Sequence, residues 1–451
     1  MTKLFGTDGV RGIANIALTP ELAFKLGRMG GHILTKDYRD KSNNNFIIVG
    51  RDTRQSGDML NASLSAGICS IGVDVWDLGI APTPVVAWIV KKFNALAGVV
   101  ISASHNPAKD NGIKFFNNQG NKLDDIIEEE IEKLISENDE NLPRPTGGDL
   151  GRICDKSEII TSYVDYIESI VTDDFSNLKI GVDTANGANF HLAPLVYDSL
   201  GVNYKVINNT PDGKNINFNC GSTHLDSLKK LVTENNLNMG IAFDGDADRL
   251  LAIDENGRVV DGDEIIFICS KYLKQFQDNH TVVATVMSNL GFEIAIKKMG
   301  KKFLRAKVGD RYVSEQLYSS GAKIGGEQSG HIIMPEYNTT GDGLLTSLML
   351  MDAVKKSGKS LKDLKDELTL MPQILINVQV KNRIDINENE VINSSIRKIE
   401  MSLGDSGRVL VRASGTEPLV RVMVEGTDLN IISEYANEIA QTVKKELYFS
   451  V

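Results

Sequence analysis

Three aspartates stand at alternate positions between two apolar runs of the chain. Asp244, Asp246 and Asp248 lie within residues 241–253, which read IAFDGDADRLLAI. The apolar runs predict two strands joined by a turn, where the three carboxylates can converge on one point. Converging negative charges repel one another unless a divalent cation lies among them, and carboxylate oxygens are ligands that Mg²⁺ favours. The spacing predicts a metal site, against the simpler alternative of a solvated acidic turn.

The same residues allow two other chemistries. An EF-hand calcium loop would use the three aspartates and Glu255, but it requires glycine where Arg249 stands. Residues 250–253 also read as a strand rather than as part of such a loop. A phosphatase with an aspartate nucleophile places D-x-D after an apolar strand, so Asp244 could accept a phosphoryl group. The third carboxylate favours chelation over that reaction.

A second apolar run ends in hydroxyl groups. Residues 98–107 read GVVISASHNP, and the proline with its neighbouring asparagine predicts a tight loop that presents Ser104 at the end of a strand. Ligand sites of α/β proteins lie at such strand ends. The G-x-S-x-G elbow of serine hydrolases is absent from this segment. Ser104 and His105 are therefore either catalytic or merely hydrogen-bonded within the turn.

Two further loops carry groups that suit a phosphorylated sugar. Residues 325–331, GGEQSGH, offer a carboxylate, an amide, a hydroxyl and an imidazole, which together can bind several sugar hydroxyls. Residues 412–418, RASGTEP, with Arg421 beyond them, combine a guanidinium, hydroxyls and a glycine N–H, which together can hold a phosphate. Taken alone, each segment could equally be a polar turn.

The elements that must position these loops alternate between strand and helix. The 451 residues, 41% hydrophobic and 24% charged, are enough for several folded domains. Three stretches repeat one pattern of strand, glycine-containing turn, helix, closing glycine and second strand, and they close at Gly72, Gly201 and Gly300. After residue 371 the chain changes to strands at 374–380, 408–412 and 420–425 with helices between and after them.

This pattern predicts an α/β protein with three related α/β domains of mixed sheets and a smaller C-terminal α+β domain. We predict domains at residues 1–158 with the Ser104 loop, 159–256 with the aspartate loop, 257–370 with the 325–331 loop, and 371–451 with the 412–418 loop.

The net charge and the cysteine content limit which binding partners and which cellular compartment are expected. Lysine and arginine number 49 and aspartate and glutamate 60, a net charge of −11, so we expect neither a nucleic acid nor an anionic membrane as partner. The four cysteines form no C-x-x-C pair, and no apolar run approaches the roughly 18 residues of a membrane span. A cytoplasmic protein with reduced thiols is expected.

The four motifs, taken in this order and spacing, resemble the α-D-phosphohexomutase superfamily over the whole chain. Residues 5–12, FGTDGVRG, complete the set. Residues 307–312, KVGDRY, together with GEQSGH and R-x-SGTEP, resemble the branch acting on glucosamine phosphates more than the phosphomannomutase and phosphoglucomutase branches, which remain the alternatives. One departure is Ala247, where many relatives have glycine, and its methyl group would restrict the backbone if the loop needs a positive φ.

The resemblance implies the interconversion of glucosamine 6-phosphate and glucosamine 1-phosphate, which feeds cell-wall precursor synthesis, through a phosphorylated Ser104 and glucosamine 1,6-bisphosphate. It implies Mg²⁺ bound by Ser104, Asp244, Asp246 and Asp248. It also implies a sugar-phosphate substrate and an activating phosphorylation of Ser104, and it leaves a homodimer open. The catalytic residues implied beside Ser104 are Arg11, His105, Lys114, Arg249 and His331. The substrate-binding residues implied are Lys307, Glu327, Ser329, Arg412, Ser414, Gly415, Thr416 and Arg421.

Overall fold

The computed structural model describes residues 4–6, 8–36, 44–137, 141–171, 173–380, 386, 389–413 and 419–448. The chain forms two compact units. The first comprises Met1–Thr285 and Leu304–Asp366, and the second comprises Val286–Phe303 and Glu367–Val451.

The first sheet of the first unit supports the Ser104 loop. Its strands are β1 (Val10–Ile13), β2 (Phe46–Arg51), β3 (Asp74–Ile80), β4 (Ala97–Ile101), β5 (Asp110–Asn117) and β6 (Ile153–Asp155), in the order β1-β5-β4-β2-β3-β6. Its helices are α1 (Pro20–Lys25), α2 (Gly31–Thr35), α3 (Ser56–Cys69), α4 (Thr83–Lys92) and α5 (Asp125–Glu137). The central strands β2 and β4 run parallel and are almost wholly buried, as their unbroken apolar runs require. Strand β5 returns antiparallel to β4, so the intervening loop lies at the end of a buried strand.

The second sheet supports the aspartate loop in the same way. Its strands are β7 (Lys179–Asp183), β8 (Asn203–Ile207), β9 (Met239–Phe243), β10 (Leu250–Asp254) and β11 (Val259–Val260), in the order β11-β10-β9-β7-β8. Its helices are α6 (Thr161–Ile170), α7 (Leu192–Ser199) and α8 (Asp226–Glu234). Strands β7 and β9 are parallel, and β10 returns antiparallel to the fully buried β9.

The third sheet is shorter and carries the 325–331 loop. Its strands are β12 (Thr281–Thr285), β13 (Lys302–Ala306), β14 (Gly325–Gly326) and β15 (Ile332–Ile333), in the order β13-β12-β14-β15. The helices in this stretch of chain are α9 (Gly262–Tyr272), α10 (Lys274–Gln277), α11 (Leu290–Lys298), α12 (Asp310–Ser320), α13 (Gly343–Ser357) and α14 (Leu361–Lys365). Strands β14 and β15 pair antiparallel, so residues 327–331 form the turn between them.

The second unit has its own core. Its antiparallel sheet has the order β16-β18-β17, with β16 (Gln373–Gln379), β17 (Gly407–Ala413) and β18 (Leu419–Gly426), and its helices include α15 (Glu390–Leu403) and α16 (Leu429–Tyr448). Alternate residues of β18, Val420, Val422 and Val424, pack with apolar residues of both helices in one cluster. Alternate residues of a strand point to the same face, so these three valines form one continuous side of the core.

The structure confirms the predicted fold class and the repeated pattern. The closing glycines Gly72, Gly201 and Gly300 have φ values of 82°, 65° and 75°, in the left-handed region that favours glycine after a helix. Each is followed within three residues by the predicted second strand. The boundaries between the three α/β domains lie inside the first unit and stay a prediction. Within the described part of the chain, no helix has both the length and the apolar character needed to cross a bilayer.

Candidate active site

The three aspartates converge as their spacing predicts. Asp244, Asp246 and Asp248 are buried, and each offers an oxygen within 4.8 Å of the others. Burial, followed by the charges of Asp248 and Asp246, raises the pKa of Asp244 well above its usual range. One oxygen of Asp246 and one of Asp248 are buried without a hydrogen-bond partner. A crowded set of buried carboxylate oxygens with unused lone pairs fits a divalent cation. The EF-hand alternative is excluded, because residues 250–254, which would belong to its loop, form strand β10.

The loop that holds these aspartates has a left-handed residue at Ala247. Its φ is +58°, and its side chain is buried. The backbone of Ala247 bonds on both sides, because its N–H donates to the carbonyl of Asp244 at 3.1 Å and its carbonyl accepts from Gly343 at 3.0 Å. The loop therefore adopts the conformation that glycine would favour, with an alanine in place.

Ser104 lies at the end of β4 and faces this loop. Its hydroxyl donates a hydrogen bond of 2.5 Å to Asp244 Oδ2, and its φ of +52° is also left-handed. Ser102, the other hydroxyl residue of the loop, is buried and points elsewhere, since its Oγ donates to Asp52 at 2.6 Å and accepts the Ser104 N–H at 2.9 Å. Only Ser104 of the two contacts the aspartate triad.

Two side chains hold the backbone of the Ser104 loop. Arg54 donates to the carbonyls of Ser104 and Asn106, both at 2.9 Å, and forms a buried ion pair with Asp52 at 2.8 Å. Asn217, which follows β8 in the chain, donates to the same two carbonyls at 2.8 and 3.0 Å. The loop is thus fixed from both the first and the second sheet.

The predicted cations lie around the aspartates. The buried Lys114 ammonium, on β5, lies 2.7 Å from Asp246 Oδ2 and 3.7 Å from Asp248 Oδ2. Arg249 donates its backbone N–H to Asp244 Oδ1 at 3.2 Å, and its Nε lies 3.8 Å from Asp248. Arg11 is paired with Asp8 and donates to the carbonyl of Ala103 at 3.5 Å.

The two predicted histidines have different surroundings. His105 Nδ1 lies 3.4 Å from Ser104 Oγ, and burial, with Arg249 and Arg11 adding to it, lowers the pKa of His105 to about 4. His331 is buried with its two ring nitrogens 3.5 Å from Asp248 and 3.6 Å from Asp310. Burial alone would lower the pKa of His331, but these two carboxylates raise it overall.

The predicted sugar-binding residues of the third sheet are only partly brought together. Glu327 Oε1 accepts the Gly309 N–H at 3.0 Å, and Ser329 Oγ lies 3.4 Å from Glu327 Oε2. Lys307 is exposed, with its ammonium 5.5 Å from the centre of the Tyr312 ring. The Glu327 and Ser329 side chains remain partly accessible for a ligand.

The predicted phosphate-binding residues belong to the second unit. Arg412 on β17 and Arg421 on β18 are register partners across the two strands. Both are partly buried. Ser414, Gly415 and Thr416 lie outside the described residues.

Several residues of this site were missed by sequence reasoning. Asp8 and Asp310 stand within the quoted motifs FGTDGVRG and KVGDRY, and Arg54 within the turn RDTRQSG of the first repeat. The motif position was therefore the available signal for these three. Two residues lie in no such motif, and only the fold brings them to the site: Asn217, and Lys122, which forms ion pairs with Asp8 and Asp310.

Comparison with protein families accounts for nearly the whole chain. Four models match, described as Phosphoglucomutase/phosphomannomutase alpha/beta/alpha domain I at residues 2–142, domain II at 161–257, domain III at 261–371, and the C-terminal domain at 375–442. A phosphoglucosamine mutase of Acetivibrio thermocellus is 51% identical over 451 residues, covering 99% of this chain and 100% of that protein. A phosphoglucosamine mutase of Bacillus subtilis is 49% identical over 450 residues, covering 99% of both. The chain belongs to the phosphoglucosamine mutase family of the α-D-phosphohexomutases.

Solved structures share the fold of this family at lower identity. A phosphoglucomutase/phosphomannomutase family protein from Burkholderia thailandensis has a TM-score of 0.82 at 22% identity, covering 99% of this chain and 98% of that one. An N-acetylglucosamine-phosphate mutase, described as a member of the α-D-phosphohexomutase superfamily, has a TM-score of 0.67 at 18% identity, covering 98% and 97%. The fold class predicted from the repeated pattern agrees with both.

Proposed function

We propose that the chain interconverts glucosamine 6-phosphate and glucosamine 1-phosphate, with Ser104 as the carrier of the transferred phosphoryl group. The observation that carries the proposal is the contact of Ser104 Oγ with Asp244 at the edge of a buried aspartate triad. The relatives at about half identity over the full chain, each named phosphoglucosamine mutase, support the choice of amino sugar. An aspartate nucleophile at Asp244 is the alternative that a labelling experiment distinguishes.

Two transfers in opposite directions make up the reaction. In the first, the free hydroxyl oxygen of the sugar phosphate attacks the phosphorus of phosphorylated Ser104, the P–Oγ bond breaks, and glucosamine 1,6-bisphosphate forms. The hydroxyl proton leaves to a base, and the Ser104 oxygen regains a proton. In the second transfer, Ser104 Oγ attacks the phosphorus of the opposite phosphate, and the bond from that phosphorus to the sugar oxygen breaks. The Ser104 hydroxyl gives up its proton to a base, and the released sugar oxygen takes up a proton. One phosphorylated residue therefore serves both directions, and the active resting form carries it.

Charge balance explains the groups around Ser104. Three aspartates and a phosphoserine dianion sum to about −5, which the site must offset to bind a further phosphorylated sugar. We propose that Asp244, Asp246 and Asp248, with a phosphoryl oxygen on Ser104, hold Mg²⁺, which when bound supplies positive charge to the transferring oxygens. Lys114, Arg11 and Arg249 add positive charge around the same loops.

Proton transfer falls to groups placed beside the reacting oxygen. We propose His105 and Lys114 as general acid and base, because His105 Nδ1 is 3.4 Å from Ser104 Oγ and the Lys114 ammonium is held by Asp246 at 2.7 Å. His331, fixed between Asp248 and Asp310, assists toward the sugar. Such positioned groups typically contribute about 10²–10⁴-fold to a rate.

Substrate binding is proposed for two further groups of residues. Glu327 and Ser329, with Lys307, bind ring hydroxyls of the sugar, which the partly accessible carboxylate and hydroxyl can do. The phosphate that is not reacting is bound by the segment that begins at Arg412, for which the residues proposed are Arg412, Ser414, Gly415, Thr416 and Arg421. A cytoplasmic location and a homodimer stay predictions.

A labelling experiment tests the nucleophile. Incubation with ³²P-labelled glucosamine 1,6-bisphosphate should transfer label to Ser104 in an acid-stable, hydroxylamine-resistant form. Ser104→Ala should carry no label, whereas the matched variant Ser102→Ala, which removes a hydroxyl two residues away, should keep it. Hydroxylamine-labile label on Asp244 would contradict the proposal and support the phosphatase instead.

A second assay tests the sugar. Turnover of the 1-phosphates of glucosamine, glucose and mannose is compared side by side, each primed with its own 1,6-bisphosphate. The glucosamine substrate should have the highest kcat/KM. A preference for glucose or mannose would leave the phosphoserine chemistry in place and reject the amino sugar.

A further inference from the structure

Six ionisable side chains form a closed ring of contacts that shares Asp248 with the aspartate triad. Basic and acidic groups alternate through it, in the order Lys114, Asp8, Lys122, Asp310, His331 and Asp248, and the last contacts Lys114 again. The Lys114 ammonium lies 3.2 Å from Asp8, and His331 lies 3.6 Å from Asp310. Lys122 is paired with both Asp8 and Asp310 and so joins these two halves.

The three added members of this ring come from separate parts of the first unit. Asp8 precedes β1, Asp310 begins α12, and Lys122 follows β5, where its backbone pairs with Phe116. The Lys122 side chain is only 15% exposed, and Asp310 is 14% exposed. Both charges are therefore largely withdrawn from water. Removing either partner would leave the other as an uncompensated buried charge.

We propose that Lys122 is a positioning residue for phosphoryl transfer, acting through Asp8 on Lys114 and through Asp310 on His331. The inference rests on the proposed function, since it concerns the groups assigned there to proton transfer. Lys122 makes no contact with the aspartates of the metal loop. Its role is to keep Lys114 and His331, which both contact Asp248 Oδ2, at fixed places beside the triad.

Loss of Lys122 would change the contacts of both neighbours. Asp8 and Asp310, each held by the same ammonium, would then face one another across the vacated position without a cation between them. Asp8 would keep Arg11 and Lys114 as partners, and Asp310 would keep only His331 among the ring members. The repulsion between the two carboxylates would displace Lys114 and His331 from their places.

The experiment compares Lys122→Met with a matched surface change, Lys36→Met. Lys36 forms an exposed pair with Glu130 in the same unit, at 3.2 Å. A displacement of about 1 Å in a catalytic group can cost about 100-fold in rate, so kcat for Lys122→Met should fall by about 30- to 100-fold. KM should stay within about threefold, because Lys122 pairs with Asp8 and Asp310 and not with the proposed sugar-binding side chains Glu327 and Ser329. Lys36→Met should change kcat by less than twofold.

Two further variants separate positioning from folding. Lys122→Arg can still bridge two carboxylates and should restore kcat to within about fivefold of the unmodified chain. Asp310→Asn removes the charge without changing size, and it should lower kcat by itself. In the double variant, Lys122→Met should then add less than its full effect, because the two residues share one contact.

The outcomes are distinguishable from failure of the proposed function. An unmodified chain without mutase turnover would reject the proposed function, whatever the variants do. An active chain in which folded Lys122→Met keeps kcat within twofold would overturn this inference alone. If Lys122→Met does not fold, the other two variants test the inference. It would be overturned by an unchanged kcat in Asp310→Asn, or by a loss of kcat in Lys122→Arg as large as about 30-fold.

Discussion

The loop that carries Ser104 and the loop that carries the aspartates are built alike and used differently. Each leaves the end of a wholly buried strand, β4 or β9, and each returns through an antiparallel strand. Each contains a buried residue in the left-handed region, Ser104 at +52° and Ala247 at +58°. The two loops therefore share their flanking strands and a left-handed residue, and they differ in the side chains that surround them.

The difference lies in what each loop binds. The Ser104 loop presents carbonyls to two donors, Arg54 and Asn217, so its backbone is held by neutral and cationic side chains. The aspartate loop presents carboxylates, and one oxygen of Asp246 and one of Asp248 have no hydrogen-bond partner. At Ser104 the residue in the left-handed region is also the proposed phosphoryl carrier, and strained backbone often occurs at functional sites. At Ala247 the left-handed residue shapes the loop and is not itself one of the proposed reacting groups.

The largest effect should come from removing the reacting group. Ser104→Ala keeps the same backbone conformation and loses only a hydroxyl, so the far-UV circular dichroism and the melting temperature should be retained. Mutase turnover should fall by at least about 10³-fold, as expected when a nucleophile is lost. Steady-state kinetics measures this, and more than a tenth of the original activity would exclude Ser104 as the phosphoryl carrier.

The next effect concerns the charge of the other loop. Asp246→Asn removes one carboxylate charge and weakens the hold on Lys114, so Mg²⁺ affinity in calorimetry and turnover should both fall. Metal stabilisation of several kcal/mol, at about 1.4 kcal/mol per tenfold, predicts a loss of about 10²–10³-fold in kcat. The exposed Asp58→Asn serves as control. Full turnover by the unmodified chain in metal-free buffer would instead assign the triad a structural role.

A smaller effect is expected on stability when the side chain that holds the Ser104 loop from the second sheet is removed. Asn217→Gly removes two hydrogen bonds to the Ser104 loop, each contributing about 0.5–1.5 kcal/mol. The matched variant Asn219→Gly changes an exposed asparagine in the same segment with a similar φ of 52°. The free energy of unfolding in urea should differ between the two by about 1–3 kcal/mol. Equal values would show that Asn217 does not hold the loop.

The smallest effect tests the strain at Ala247. Glycine relieves a left-handed backbone that costs an L-residue about 1–2 kcal/mol, and this offsets its greater freedom in the unfolded chain. Ala103 is a buried residue of the Ser104 loop that lies outside the left-handed region. Ala103→Gly therefore relieves no backbone strain. Urea unfolding should therefore show Ala247→Gly to be less destabilising than Ala103→Gly by about 1 kcal/mol. The reverse order would contradict a strained Ala247.

Much of the fold followed from local pattern. The strands predicted at 374–380, 408–412 and 420–425 became β16, β17 and β18. These elements were predictable because the spacing of apolar residues within each segment indicates which of its residues are buried. The turn between β9 and β10 was predictable for the same reason, and with it the convergence of the three aspartates.

The supporting contacts of the site were not predictable in this way. Arg54 and Asn217 are separated by more than 160 residues, yet they bind the same two carbonyls. Lys122 lies in a polar segment whose sequence resembles any surface turn. Such contacts depend on how sheets pack against one another, which no single segment specifies.

The hydrogen bonds that Arg54 and Asn217 donate to the Ser104 loop have a consequence for when activity appears during folding. The carbonyl of Ser104 bonds to a residue 50 positions earlier and to one 113 positions later. Contacts between distant parts of a chain form more slowly than those within a helix or hairpin. During refolding from urea, helical signal should return first, and the capacity of Ser104 to accept phosphate should return only when the second sheet has joined the first.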